Sequence, residues 1–449
     1  MQSIWSRTAA LPRFETLQGD TSVDVLIIGG GMAGLLCAHH LTKAGVDCLL
    51  VEAERIGCGI TKNTTAKITS QHGLVYADMI RRQGAEAARI YLQANEAALA
   101  EYRTLCRDID CDFEEKDAYV YLLSDRQKIE REVEALQKIG YPAEFAEQLP
   151  LPFRTAGAVR FPAQAQFHPL KFAAGISQGL RICEHTKVRE LVGTTAVTSG
   201  GRIRAQKIIV ATHFPFLNKH GFYFVKMYQD RSYVLALENA AQFDGMYIDG
   251  SGKGLSLRQS GEVLLVGSGA HRTGKKGTDW QDAERFAELY YPGAREICRW
   301  ATQDCITLDG MPYIGRYAKN TPDLYVATGF NKWGMTSSMV AARQLTDMIM
   351  GKENAARALF DPSRSVLRPQ LAANLGAAVL GLITPQTKRC PHLGCALTWN
   401  AQEHSWDCSC HGSRFSACGE VIDNPATADL KSAPKKQKKP TPHTPSDPA

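Results

Sequence analysis

Residues 23–31, VDVLIIGGG, run an apolar strand directly into three glycines, and MAGLLCAHHLTKAG behind them reads as a helix. VDCLLVEAE at 46–54 is a second buried strand, so the chain opens as a strand–helix–strand unit. At the junction Gly29, Gly31 and Gly34 form G-x-G-x-x-G. The first glycine permits a tight turn and the second a close approach of backbone to pyrophosphate. The third lets the helix pack tightly on the strand, and the helix N-terminus faces the anion. Glu52 ends the second strand 23 residues after Gly29, where a carboxylate accepts from ribose hydroxyls. Strand, helix, second strand and terminal acid in register predict a Rossmann-like dinucleotide-binding domain and an α/β fold class. NAD and FAD both use this device, and the spacing does not choose between them.

The remainder of the chain supplies strands and helices for more than one domain. Helical periodicity dominates 78–147, broken by the strand DAYVYLL; strands follow at 207–212, 231–237 and 262–271, then a helix at MTSSMVAARQLTDMIMG. Composition changes near 361. Residues 431–449 hold five lysines against one aspartate, contribute +4 of the formal charge of +6, and should be disordered. The folded part is therefore nearly neutral, without a basic face that would suit nucleic acid. The longest apolar run, 371–383, is too short to span a membrane, and the N-terminus lacks a secretory apolar run. Eight scattered cysteines (37, 48, 58, 106, 111, 183, 298 and 305) read as reduced thiols, which suggests a cytoplasmic protein.

Several separated stretches carry a resemblance. NTTAKITSQHG at 63–73, HTKVREL at 185–191, IIVAT at 208–212, TLDGMPYIG and ATGFNKWGMT resemble, in that order, segments of the D-amino-acid oxidase and glycine oxidase superfamily, and the likeness extends over 20–360. It implies FAD, held by Gly29, Gly31, Gly34, Glu52, Thr65, Ala66, Lys67, Val188, Gly310, Gly329, Trp333, Gly334 and Met335. It also implies an FAD-binding domain (about 20–77, 155–215 and 300–360 of an oxidoreductase spanning 1–360) interleaved with an α+β substrate domain (about 78–154 and 216–299). His271 resembles a basic residue placed near the flavin in sarcosine-oxidase-like members. Tyr228, Arg231 and Tyr233 are candidates to line the cavity, with Arg231 suited to a substrate carboxylate. Packing or surface roles account equally well for each of these four.

Near the other end, CPHLGCALTWNAQEHSWDCSCHGSRF puts four cysteines and three histidines into 26 residues. Cys390-x-His392 and Cys408-x-x-His411 stand fifteen residues apart, each box with one thiolate and one imidazole. Two sulfurs for one iron and two ring nitrogens for another suit a mixed pair; zinc is the competing occupant, although zinc sets usually pair like with like. The stretch resembles a Rieske [2Fe-2S] site of the disulfide-bearing kind. That implies Cys390, His392, Cys408 and His411 as ligands and a Cys395–Cys410 cross-link in a small β lobe over 390–430, joined by a linker over 361–389. Ser413 and Asn424-Pro425 fit the family's hydrogen-bonding and covering loops. Phe415 replaces the tyrosine of high-potential members, and a lower potential is expected. So short an approach to Cys390 suggests a lobe that leans on the FAD domain, with 371–383 as a docking helix.

A flavin takes a hydride as two electrons and a [2Fe-2S] cluster passes them singly. Together they point to a dehydrogenase of an amine or amino acid whose electrons leave through the cluster to a one-electron carrier protein. Two other readings stay open: a reductase running the current from cluster to flavin, and a non-catalytic redox sensor. The lysine tail would either meet an acidic carrier or only add solubility.

Overall fold

The computed structural model describes residues 1–386 and 388–430, so the lysine-rich tail at 431–449 lies outside the described residues. The opening unit forms as its pattern predicts. Thr21–Ile28 is hydrogen-bonded in parallel between Cys48–Val51 and Arg202–Val210 at the centre of an eight-stranded sheet. Parallel strands covered on both faces are apolar throughout. Ile27, Leu50 and Ile209 accordingly pack under the helices Met32–Lys43 and Gly334–Ile349, while Leu26, Leu49 and Ile208 pack on the opposite face.

A second, nine-stranded sheet builds the substrate domain. Its main order is Arg295–Thr307, Met227–Glu238, Val263–Arg272, Ser256–Ser260, Met246–Asp249, Glu114–Leu122, Gly157–Gln166 and Lys67–Ile68. Two ladders move the domain boundaries read from the sequence. Gly157–Gln166 pairs with Glu114–Leu122, and Arg295–Thr307 pairs along its length with Met227–Glu238. Both strands thus belong to the substrate sheet, although 155–215 and 300–360 read as FAD-binding. The cause is long-range antiparallel pairing, which no local pattern encodes. The strand Met227–Glu238 has two distinct faces. Val234 and Ala236 point to the core shared with the dinucleotide domain, whereas Tyr233, Leu235 and Leu237 point away toward Trp280 and Phe286.

The last lobe is a four-stranded antiparallel sheet made of Leu397–Asn400, Ser405–Cys408, Arg414–Ser416 and Val421–Asp423. The helix Pro369–Ile383 reaches it with its smallest residues. A Cβ on Gly381 would lie 2.5 Å from Cys410 Sγ, and Gly381 O accepts from Ala396 N–H at 2.8 Å. The large apolar side chains of this helix, Leu375, Val379, Leu380 and Leu382, are exposed, so it docks through backbone rather than through an apolar face. Among the described residues no helix is long and apolar enough to cross a membrane.

What seats the lobe is the substrate sheet. Gln229 Nε2 donates to His411 O (2.8 Å) and Asn424 O (2.9 Å), and Gln303 Nε2 donates to Gly412 O (2.9 Å). Arg272 donates to Ser409 O (2.9 Å) and Cys410 O (2.8 Å). Asn424 Nδ2 reaches back to Thr212 O (2.8 Å) and Phe214 O (2.6 Å). Beside these bonds a buried charge network crosses the boundary: Arg231 and Arg414 both bind Glu403, and Arg414 also meets Asp407 and Asp423. Burial raises the Glu403 carboxyl, but the two guanidinium groups outweigh it and hold the group at about 2.

Replacing Glu403 with Gln would leave two buried arginines short of a carboxylate. The expected cost is on the order of 3 kcal/mol in denaturant unfolding of the lobe. Because the folded pKa lies below the unfolded carboxylate value of roughly 4.3, this contribution is complete above that pH and fades as pH falls toward 2. Limited proteolysis across that range, comparing wild type with Glu403→Gln, checks the sign.

Candidate functional site

The glycine turn is built so that no side chain fits between its strands. Gly29 has φ +113°, and a Cβ there would lie 2.6 Å from Ala211 O; on Gly34 it would lie 1.8 Å from Gly29 O. Gly31 caps the helix Met32–Lys43 without a side chain, Met32 N–H donates to Thr61 Oγ1 (3.1 Å), and Gly31, Met32 and Ala33 at this helix start line the cavity. Glu52 stands at the end of its strand, where Oε2 accepts from Gly30 N–H (2.6 Å) and Oε1 from Glu54 N–H (2.9 Å). Burial pushes its carboxyl up while those amides hold it down. The cradle is thus preformed for a group with a diphosphate and a ribose.

From this turn a cavity of about 1230 Å³ runs beneath the substrate sheet. Gly29, Gly31, Glu52 and Val188 line one region of it, and Thr65, Lys67, Trp333, Gly334 and Met335 another. Its remaining wall includes Glu403, Arg414, Asp423 and Asn424, so the small lobe closes one side. Lys67 Nζ donates to Ser256 Oγ at 2.7 Å, and burial together with Arg258 pushes its ammonium down to about 7. Arg258 holds the 65–66 turn by donating to Thr65 O (2.6 Å) and Ala66 O (3.0 Å). His72 stacks on Trp333 at 4.9 Å and shares hydrogen bonds with Tyr91 and Thr336; burial holds it near 3, hence neutral. The volume, the bare-backbone turn at one end and the fixed aromatic pair at the other fit FAD.

The four ligand candidates of the small lobe converge in two loops of matching construction. Cys390 N–H bonds Cys395 O and Gly394 N–H bonds Cys390 O; in the other loop Cys408 N–H bonds Ser413 O and Gly412 N–H bonds Cys408 O, all at 2.9 Å. Cys395 and Cys410 form the disulfide that joins the loops. Cys390 and Cys408 are buried thiols in hydrogen-bonding contact, and the Cys408 thiol pulls Cys390 down to about 7 against the effect of burial. The His392 and His411 rings lie 5.0 Å apart, and in both the Nδ1 atom is buried without a partner. Burial holds them near 4 and near 3, so both rings are neutral and able to ligate. Two orphaned nitrogens beside two thiols form a mixed nitrogen–sulfur donor set that suits a [2Fe-2S] cluster of the Rieske kind. Ser413 Oγ accepts from Ala426 N–H at 3.0 Å, tying a ligand loop to the covering loop behind Asn424-Pro425.

Not every expected residue reaches its expected place. Gly310 is exposed on an outer turn, and Gly329 is buried behind Thr307; neither lines the cavity, nor does Ala66, whose carbonyl is turned to Arg258. Arg231 borders the cavity, but its guanidinium is held by Glu403, so it is not free for a substrate carboxylate. Tyr228 lies outside the lining, under the guanidinium of Arg272 at 4.7 Å. His271 is also outside it: the ring stacks on Tyr233 and donates from Nδ1 to Gly269 O at 2.7 Å. Arg231 and His271 stand opposite each other in the ladder and face the outer side of the sheet, where the small lobe and a loop cover them, whereas Tyr228 lies near the start of its strand beneath Arg272. Conversely, His72, Asp230, Ser232, Ser256, Thr302, Asp304 and Lys332 line the cavity and were not anticipated. Strand alternation could have grouped some of them, but not told which face meets the cavity.

The chain matches the FAD dependent oxidoreductase family over residues 24–348 and the Rieske [2Fe-2S] domain over 377–434. It is 36% identical to the Rieske 2Fe-2S iron-sulfur protein YhfW of Bacillus subtilis, across 96% of this chain and 97% of that protein. It is 24% identical to gamma-glutamylputrescine oxidoreductase of Escherichia coli, across 75% and 86%. Among solved structures it resembles glycine oxidase from Geobacillus kaustophilus (TM-score 0.66, 20% identity, 77% of this chain and 99% of that one). L-proline dehydrogenase from P. horikoshii is similar in fold (TM-score 0.65, 18% identity, 78% and 98%).

In Gly34→Ala the added Cβ would collide with Gly29 O, backbone that cannot move aside without opening the turn. Protein purified from this variant is expected to lose most of its bound FAD while keeping the iron signal, as read from visible absorbance and metal content.

Proposed function

We propose, for a chain that belongs to the FAD dependent oxidoreductase family and carries a Rieske [2Fe-2S] domain, that it dehydrogenates an amine or amino acid at the C–N bond and passes the electrons singly to an external acceptor. FAD when bound supplies a two-electron hydride acceptor and the cluster a one-electron carrier. The observation that carries the reading is the seating of the lobe: Glu403, Arg414, Asp423 and Asn424 of the lobe line the cofactor cavity, and the cluster loop at 408–412 is bonded to the substrate sheet that roofs it.

The chain's own residues do three things in this scheme. The glycine turn, Glu52 and Val188 hold the nucleotide end of FAD, while Thr65, Lys67, Trp333, Gly334 and Met335 surround its reactive end. Neutral His72, fixed against Trp333, keeps that end of the cavity rigid and uncharged on one side. Cys390, Cys408, His392 and His411 hold the cluster, and Gln229 and Gln303 fix its loops against the sheet. Amine oxidation needs a neutral amine held against the cofactor more than an elaborate acid–base pair. Gamma-glutamylputrescine oxidoreductase, glycine oxidase and L-proline dehydrogenase are named for amines or amino acids, which supports the C–N reading.

Anaerobic addition of a substrate amine should bleach the flavin before the reduced-cluster signal grows. In Cys408→Ser, substrate-driven flavin reduction should persist while delivery to a one-electron acceptor stops. Stopped-flow absorbance and electron paramagnetic resonance read both steps; loss of flavin reduction itself in that variant would reverse the proposed order.

A further inference from the structure

We infer that the cavity wall formed by Asp230, Ser232, Thr302 and Asp304 recognises the substrate's ammonium group, with Asp304 receiving its proton, so that the substrate is an amine without an α-carboxylate. The inference deepens the activity proposed above and rests on it. In the antiparallel ladder Asp230 stands opposite Asp304 and Ser232 opposite Thr302. With a side-chain period of two, all four project from one face. That face is the one on which Val234 reaches the shared core, and all four residues line the cavity.

The patch is rich in acceptors and poor in donors to match them. Thr302 is 8% exposed, yet its Oγ1 is buried without a hydrogen-bond partner. Asp304 makes no side-chain hydrogen bond or ion pair of 4.0 Å or less among the described residues. Asp230 has one ion pair, to Lys332 at 3.7 Å. Like charges set directly opposite each other in a ladder destabilise it. Two carboxylates with one lysine therefore leave a place for one more cation, and two hydroxyl groups stand beside them as further acceptors.

An α-carboxylate would meet repulsion at the same wall. Arg231, beside Asp230 in the chain, points to the opposite face and is held there by Glu403. The charged groups facing Asp304 are Lys332 from the loop and Asp230 from the neighbouring strand, with Arg231 acting on it from the other face of the sheet. Burial pushes its carboxyl up to about 6, Lys332 opposing and Asp230 adding. The group is thus ionised at neutral pH yet basic enough to take a proton from a bound ammonium. In that step an N–H bond of the ammonium breaks, its electron pair stays on nitrogen, and the proton moves to the carboxylate. The neutral amine is then the form able to give up a hydride from its α-carbon and become an iminium ion, and FAD when bound would supply the two-electron acceptor.

The test uses the purified holoenzyme. tert-Butylammonium has no hydrogen on its nitrogen-bearing carbon and cannot be oxidised, so its binding is read from the perturbed flavin spectrum, with acetate as the anionic control. Saturable binding of the cation and none of acetate is expected; acetate binding the more tightly would overturn the inference. Asp304→Asn should weaken tert-butylammonium at least tenfold and slow anaerobic flavin reduction by an oxidisable amine about 100-fold at pH 7. The deficit should shrink as pH approaches the amine's own pKa, because solution then supplies the free base, and dithionite reduction should be unchanged. Thr302→Val should weaken binding several-fold without moving the pH profile. A wild-type rate and profile in Asp304→Asn, or a deficit that high pH does not relieve, would sink the proton role. If no amine reduces the wild-type flavin, the parent activity fails instead, while cation binding lost in Asp304→Asn would still uphold the recognition site.

Discussion

The ligand loops of the small lobe cannot satisfy their own backbone. Each loop closes on itself with two amide–carbonyl bonds, which leaves the carbonyls of Ser409, Cys410, His411 and Gly412 directed outward. An unpaired carbonyl in a buried interface costs about as much as the hydrogen bond it lacks. The substrate sheet provides the missing donors: Arg272 for the first pair, Gln229 and Gln303 for the second. The fit is close enough that a Cβ on Gly412 would lie 2.5 Å from Gln229 Cβ, and one on Gly274 would lie 2.7 Å from Ser409 N. A four-stranded lobe of about forty residues has little core of its own, so its order depends on this borrowed surface.

Seen from the lobe, the same dependence explains the charge network. Arg414 is almost wholly buried, and its guanidinium serves Asp407 and Asp423 within the lobe before it reaches Glu403. Arg231 then joins from the sheet, so that two arginines share Glu403 across the boundary. Buried ion pairs seldom add net stability over apolar packing, but breaking one is costly, which makes them better at fixing a unique arrangement than at strengthening it. Here the arrangement fixed is the orientation of the lobe against the wall of the cofactor cavity.

Much of this was legible in the chain. The strand–glycine–helix opening reads out of local pattern alone, because parallel strands are apolar on both faces and the turn admits only glycine. The two Cys/His boxes are equally local, since each ligand pair belongs to one loop. The substrate sheet was harder. Its order joins 295–307 to 227–238 and 157–166 to 114–122, partners far apart in the chain, and only their pairing decides which residues see the cavity. Arg231 illustrates the limit: a candidate for a carboxylate by type and position, it projects from the face opposite to Asp230, and its partner Glu403 lies 172 residues away.

The orientation of the histidines carries the last consequence. His392 Nε2 lies 3.0 Å from Asn218 Oδ1, and Phe224 meets both ligand rings edge to face, at 6.2 Å for His392 and 5.9 Å for His411. Asn218 and Phe224 belong to the stretch between Arg202–Val210 and Met227–Glu238, so the imidazole side of the lobe is turned toward the flavoprotein, with His411 buried and His392 partly exposed. With Nε2 bonded to an amide oxygen, His392 keeps its proton there and leaves Nδ1 as the ligating atom, the same atom that is orphaned in both rings. The edge of His392 remote from the metal site is therefore held by the protein itself, and the disulfide is buried under the helix Pro369–Ile383, which lies against Cys410. The imidazole pair and the disulfide thus both owe their placement to elements outside the four-stranded lobe.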